Sequence, residues 1–331
     1  MNSNRLFILL TLSFIGLIAW QIRVVLVILF GSIVLAVAID VLIQRLQNQL
    51  TIPRKFALII ILILLILTGS SIFLILVPEL ITQIKELGNI LPIVFIKIKS
   101  ILANEPRLVD LQASIPEKFS WDDIQPITSK IIGFAGGAAN IFIQLTLISL
   151  LAVLLALDPK SHRNIIITIT PKSIREQINN LLDKCRLALG GWLTGMTLSA
   201  TSIFILTWTG LALLKAPLPL LNALICGILT FIPVIGPTSA SILPVGISLL
   251  ISPTLMLEVL ILRLFLQNLE AFVLTPFLLK RTVNLLPTVA LTTQLILGAL
   301  LGLPGVILAL PLVVVLQVII QDVVVEKLIE N

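Results

Sequence analysis

From Phe56 to Val77 the chain runs for 22 residues without a charge. As a helix such a run is ~33 Å long, enough to cross a hydrocarbon core of ~30 Å. A water-soluble fold of this size has no comparable place for an uncharged rod. Other apolar runs cover Leu6–Trp20, Val24–Ile39, Ile131–Leu157, Leu187–Leu214 and Thr254–Pro276. Charged residues make up 11% of the chain, against ~25% in soluble domains. The mean hydropathy of +1.17 agrees. The sequence therefore predicts an all-α polytopic membrane protein. About six helices span, and two broken, re-entrant helical hairpins bring the total to the equivalent of ~8 transmembrane segments.

The broken segments lie between Leu187 and Ile320, where one pattern occurs twice. A membrane-length run, Leu187–Leu214, precedes Pro217, the tip Pro233-Val-Ile-Gly-Pro237 and an apolar arm to Ile251. A second run, Thr254–Pro276, precedes Leu286-Pro287, the tip Gly302-Leu-Pro-Gly305 and an arm to Ile320. Each arm is expected to be about 14–15 residues, too short to cross. Two such arms joined at a Pro/Gly tip read as a hairpin that enters and leaves by one face. The freed backbone groups at a tip must be buried in protein or line a wet cavity. The alternative is that the prolines kink ordinary spanning helices.

The chain is expected to divide into three N-terminal helices (1–77), an amphipathic external region (78–130), a span (131–157), a basic loop (158–186), a transport core (187–320) with hairpins at 217–251 and 286–320, and a tail (321–331). Leu6–Trp20 and Val24–Ile39 read as two helices reversing at Gln21-Ile-Arg23. Arg5 ahead of the first run gives it the outline of a signal peptide. No small-x-small cleavage site follows, so retention is expected. Asp40–Lys55 reads as a polar connector, and Pro78 with Glu79 is expected to end the third helix. Leu80, Ile84, Leu87, Leu91, Val94, Ile98 and Ile101 make a heptad seam, interrupted by Gly88 and Pro92. The seam can join subunits, pack on its own chain or lie on the membrane. Gly133 and Gly137 make a small-residue contact face. Ile174, Ile178, Leu181 and Leu182 read as one face of a helix lying at the cytoplasmic interface.

The basic stretches Asp40–Lys55 and Asp158–Arg186 belong in the cytoplasm, and the charge-balanced 78–130 region outside. Lys280 and Arg281 then fall inside, as do both termini. The two hairpins acquire opposite topology, an inverted repeat of the kind that permits alternating access.

Chemistry concentrates in Thr254–Pro276. Arg263, Gln267 and Glu270 share one helical face there, and buried charges in a bilayer mark pathways or pair with each other. Arg263 and Glu270 are ~10 Å apart along the axis, with Gln267 placed to bridge them. The face is read either as a polar path, with Glu270 a proton site, or as a network holding the helix against the hairpins. Glu258, nearer the outer end, is expected to reach water. The residues assigned to a substrate or ion path are Asn222, Thr230, Pro233, Gly236, Pro237, Arg263, Gln267, Glu270, Pro276, Pro287, Thr292, Gly302 and Gly305. The hydroxyls suit a neutral polar solute through several modest hydrogen bonds. Each can instead bond its own helix backbone.

No zinc-protease, nucleophile-elbow or phosphate-loop motif occurs, and the single histidine, His162, lies in the basic loop. Cys185 and Cys226 have no metal or disulfide spacing. No enzymatic activity, metal or cofactor is expected. The formal charge of +6 fits basic cytoplasmic loops, and the absence of Lys/Arg runs argues against nucleic acid.

Several stretches resemble the autoinducer-2 exporter family, also called PerM-like permeases. They are Ile52-Pro-Arg-Lys-Phe-Ala57, Leu189-Gly-Gly-Trp-Leu-Thr-Gly195, Phe231-Ile-Pro-Val-Ile-Gly-Pro237, Gln267-Asn-Leu-Glu270 with Leu274-Thr-Pro276, Leu286-Pro287, and the Gly298, Gly302, Gly305, Ala309-Leu-Pro311 series. Ala271 stands where the family usually has a polar residue. The resemblance implies a multi-pass plasma (inner) membrane transporter, often a homo-oligomer, with autoinducer-2 export or sodium/proton exchange among its activities. The sequence thus favours export of a small polar solute by a secondary transporter. A cation/proton antiporter coupled to H+ or Na+ is the runner-up, and a non-transporting membrane scaffold the third reading.

Overall fold

The computed structural model describes residues 17–18, 20–103, 138–232, 235–274 and 286–322 of the chain. The expectations at residues 6–16, Gly133, Gly137, Pro233, Pro276, Lys280 and Arg281 lie outside the described residues. Within them the protein is all-helical, with no strand. The helices are α1 (Arg23–Gln49), α2 (Arg54–Ala103), α3 (Ala138–Leu157), α4 (Pro159–Ile169), α5 (Arg175–Leu213), α6 (Pro219–Leu229), α7 (Ile235–Ile251), α8 (Pro253–Leu269), α9 (Pro287–Leu301) and α10 (Leu303–Ile320). A π-helical turn, Glu270–Leu274, follows α8.

By length and composition, four helices can cross a bilayer: Arg23–Gln49, Arg54–Glu86, Lys172–Leu213 and Leu303–Ile320. The bent pair Ile143–Leu157 with Pro159–Ile169 makes a fifth if counted as one span. Along α2, Ile63, Leu67, Phe73 and Ile75 are exposed. In water so large an apolar surface would aggregate, whereas hydrocarbon solvates it.

The chain forms two compact units. One comprises Met1–Leu62, Phe142–Leu193 and Arg281–Asn331; the other comprises Ile63–Ile141 and Thr194–Lys280.

In the first unit, the reversal expected at Gln21-Ile-Arg23 does not occur. Ile22 N–H donates to Ile18 O and Leu26 N–H to Ile22 O, both at 3.0 Å, so helical bonding passes through. Nor does a connector begin at Asp40, because α1 continues to Gln49. The buried Asp40 carboxylate explains this, since it has three donors. Arg54 Nη2 lies 2.6 Å away, Gln44 Nε2 2.8 Å and Arg186 Nε 2.9 Å. Arg54 also donates from Nε and Nη2 to the Ala156 carbonyl, at 3.1 and 2.8 Å, capping α3 with a cation where the helix dipole favours one. Ile39, Ile43, Ala57, Ile61, Ala152 and Ala156 pack beside this cluster. Lys184 pairs with Asp322 at the end of α10.

α3 ends at Asp158, whose carboxylate accepts from Ser161 N–H at 3.2 Å. Pro159 then opens α4, and the chain bends by 84°. α4 therefore lies across the direction of α3 and exposes Ile165, Ile166 and Ile169. The face expected to lie flat, Ile174–Leu182, belongs instead to the start of the 39-residue α5. Arg163 of α4 is tied to α5 through Asp183 at 2.5 Å and Asn179 at 2.8 Å.

In the second unit, α2 does not stop at Pro78. It passes Pro78, Gly88 and Pro92 and ends at Ala103. A proline opens only one backbone bond, and the Thr82 hydroxyl returns to the Pro78 carbonyl at 3.1 Å. Leu80, on the heptad face, packs on Leu218, Leu221 and Ile247 of its own chain.

Candidate functional site

The first hairpin, α6 and α7, is in the second unit. Its arms have 11 and 17 residues, less equal than the sequence predicts. Leu218, in the left-handed region with φ 54°, turns the chain into α6, and Pro219 takes the first helical position, where no N–H is needed. Leu221 N–H is satisfied from outside the hairpin, by Gln83 Oε1 of α2 at 2.9 Å. α6 ends at Leu229, and Gly236 N–H donates to Ile232 O at 2.9 Å across the tip. A Cβ on Gly236 would sit 1.8 Å from the Leu229 carbonyl oxygen. Only glycine permits that approach. Pro244 lies within α7 and does not break it.

α8 runs past this tip. Its register is fixed at Ser252, whose hydroxyl accepts from Leu255 N–H at 3.1 Å, with Pro253 next. That places Arg263 inside the unit, only 3% exposed. The guanidinium donates from Nε to Ser241 Oγ at 3.1 Å, from Nη1 to Thr207 Oγ1 at 3.1 Å and from Nη2 to the Pro237 carbonyl at 3.3 Å. Ser241 in turn donates to that carbonyl at 2.9 Å. A full positive charge thus rests on the broken end of the hairpin.

Gln267 does not bridge Arg263 and Glu270. Its Nε2 reaches Thr238 Oγ1 at 3.5 Å. Glu270 opens the π-helical turn, is buried, and lies close to Thr230 and within electrostatic reach of Arg263. Thr230 also donates to Cys226 O at 3.0 Å. π-Turns inside α-helices recur at functional sites. Here the turn redirects the backbone at the one buried acid of the helix. Glu258 is exposed.

Asn222 of α6 is 1% exposed. Its Nδ2 donates to Pro217 O at 3.1 Å, while its Oδ1 has no hydrogen-bond partner. A buried acceptor left unpaired costs about 1–3 kcal/mol, which a ligand or water would relieve.

The structure therefore gathers Asn222, Thr230, Gly236, Pro237, Arg263, Gln267 and Glu270 in one unit. Pro287, Thr292, Gly302 and Gly305 belong to the other, in the hairpin of α9 and α10, with arms of 15 and 18 residues. Thr292 is exposed. Gly302 joins the arms with φ +68°, and a Cβ on Gly305 would meet the Leu297 carbonyl oxygen at 2.0 Å. The two hairpins close their tips by the same device. Pro311, like Pro244, is accommodated within its helix.

Sequence reasoning missed Thr207 and Gln83. A threonine in an apolar run carries no signal, because most bond their own helix. Gln83 had one: it lies three residues after Leu80, a polar group on an otherwise apolar face.

The sequence pattern of the AI-2E family transporter matches residues 8–325. The chain belongs to the AI-2E transporter family. As an AI-2E family member it is a multi-pass membrane protein of the permease type. It is also similar to "Putative transport protein YrrI" of Bacillus subtilis (strain 168), 29% identical over 191 residues, which is 57% of this chain and 54% of that protein. The chain thus aligns with about half the length of this curated relative. The broken hairpins and the buried Arg263 sit within the matched range of the AI-2E pattern.

Proposed function

We propose that this AI-2E family protein is a secondary transporter that exports a small polar solute, such as an autoinducer-2-like signal, across the plasma membrane. The observation that carries the reading is the Arg263 guanidinium on the broken end of the first hairpin, bonded to hydroxyls from α5 and α7. Broken helices with freed backbone groups are where carriers build polar sites at bilayer depth. Arg263 and Glu270 together are electrically balanced, which favours a neutral solute over an ion. The hairpins and their flanking helices are the moving part. The protein works as a homo-oligomer. Flux of autoinducer-2 from loaded proteoliposomes tests this. Arg263→Lys keeps the charge but loses the three-way fork, and flux should drop at least about tenfold with the protein still folded. Wild-type flux in that variant would overturn the reading.

A second reading, cation/proton antiport, draws on Thr230 and Glu270. The Thr230 hydroxyl can donate to a Glu270 carboxylate, or donate to Cys226 O and accept from a protonated Glu270. Glu270→Gln should then abolish exchange driven by a pH gradient, measured in proteoliposomes with a pH-sensitive dye.

A further inference from the structure

At the start of α1, two hollows meet at one side chain. A groove of about 360 Å³ runs between α1 and the hairpin α9–α10, walled by Leu26, Phe30, Leu301, Gly305, Leu308 and Leu312 and closed at one end by Arg23. A wider hollow of about 680 Å³ is edged by Trp20, Gln21 and the same arginine. Among the described residues that line them, Arg23 is the only charge. Its guanidinium lies 4.2 Å from the centre of the Trp20 ring, which holds it in place. Among the described residues it has no carboxylate partner.

Depth identifies the level at which this site meets the membrane. Arg23 and the clamped Asp40 are 17 residues apart on one helix, ~26 Å along the axis. That is close to the ~30 Å hydrocarbon thickness. With Asp40 among its arginines at one face, Arg23 and Trp20 lie at the head-group level of the other, where indole rings concentrate.

We propose that this is a binding site for an anionic phospholipid. The phosphate sits on Arg23, where the wider hollow admits the head group, and one acyl chain lies along the groove. The charge is complementary, since a guanidinium with no carboxylate partner among the described residues can meet a phosphodiester in bidentate fashion. Apart from Arg23 the groove walls are apolar, which suits an acyl chain. The bound chain touches Gly305 and Leu301, so it packs on the closed tip of the second hairpin.

The test uses the full chain, stripped of lipid in neutral detergent, with bound lipid counted by native mass spectrometry. The probes are phosphatidylglycerol and phosphatidylcholine with identical chains. Wild type should bind phosphatidylglycerol about tenfold more tightly than phosphatidylcholine, and Arg23→Gln should remove that preference. Arg23→Lys should keep part of it, which separates loss of charge from misfolding. Leu308→Trp fills the groove and should weaken both lipids, whereas a free phosphate ion on Arg23 would ignore that change. Equal binding of the two lipids by wild type, or an unchanged preference in Arg23→Gln, overturns the proposal. So does a Leu308→Trp variant that alters the oligomer but not lipid retention, since a second copy would then be the occupant.

Discussion

Among single residues, Arg263 has the most at stake. Three of its donors are committed to Ser241, Thr207 and Pro237, and it is almost fully buried. Removing one member of a buried charged group strands the others, at about 3–5 kcal/mol. Arg263→Met should therefore lower the melting temperature and leave Glu270 without its balancing charge. Arg263→Met combined with Glu270→Gln should recover part of the loss. A double-mutant cycle by thermal unfolding in detergent measures that coupling, and strictly additive losses would show the two do not sense each other. Asn222 makes the opposite case. Its Oδ1 is buried without a partner, so Asn222→Leu removes a penalty and should leave stability within about 1 kcal/mol. If Asn222 contacts solute, flux should fall in the same variant while its melting temperature holds.

At the scale of elements, the hairpin tips are set by backbone sterics. An added Cβ would lie 1.8 Å from a carbonyl oxygen at Gly236 and 2.0 Å at Gly305, but Gly246 has nothing within 4 Å. Gly236→Ala and Gly305→Ala should each destabilise by several kcal/mol or block folding, since backbone on both sides must shift. Gly246→Ala should be neutral or stabilise by about 0.5–1 kcal/mol, as helical alanine replaces glycine. Thermal melts of the three variants would expose an error if Gly246→Ala were the worst. The tips were legible in the sequence because proline and glycine report backbone geometry directly. Helix ends were not, at Pro78 and Asp40. A proline removes one backbone bond, and a helix as long as α2 keeps enough others to run through it. Asp40 looked like the edge of a loop because its partners, Arg54 and Arg186, are remote in sequence and no local spacing reveals them. The polar face of α8 was legible from helical spacing, whereas the π-helical turn at Glu270 and the acceptor that α2 offers α6, Gln83 Oε1, needed coordinates.

Across the whole molecule, each compact unit is organised on a buried ionic centre. In hydrocarbon, apolar side chains gain little by touching each other in place of lipid, so packing alone discriminates poorly between helix registers. A charge that must find its donors discriminates strongly. Asp40 serves this purpose in one unit, drawing α1, α2 and α5 together while Arg54 caps α3. Arg263 serves it in the other, joining α5, α7 and α8. This accounts for Arg54 in the Ile52-Pro-Arg-Lys stretch: one side chain neutralises an acid and closes a helix end. Not every ion pair carries such weight. The Arg163–Asp183 pair is as short, at 2.5 Å, yet the Asp183 side chain is 45% exposed against 9% for Asp40. Asp40→Asn keeps the shape but leaves two arginines around a neutral amide. It should cost about 3 kcal/mol or more and reduce the folded yield. Asp183→Asn, screened by water, should stay within about 1 kcal/mol of wild type. Unfolding of both variants in mixed micelles gives the comparison. Equal losses would mean that burial does not set the strength of these centres, and would remove the physical reason for assigning Asp40 the structural role.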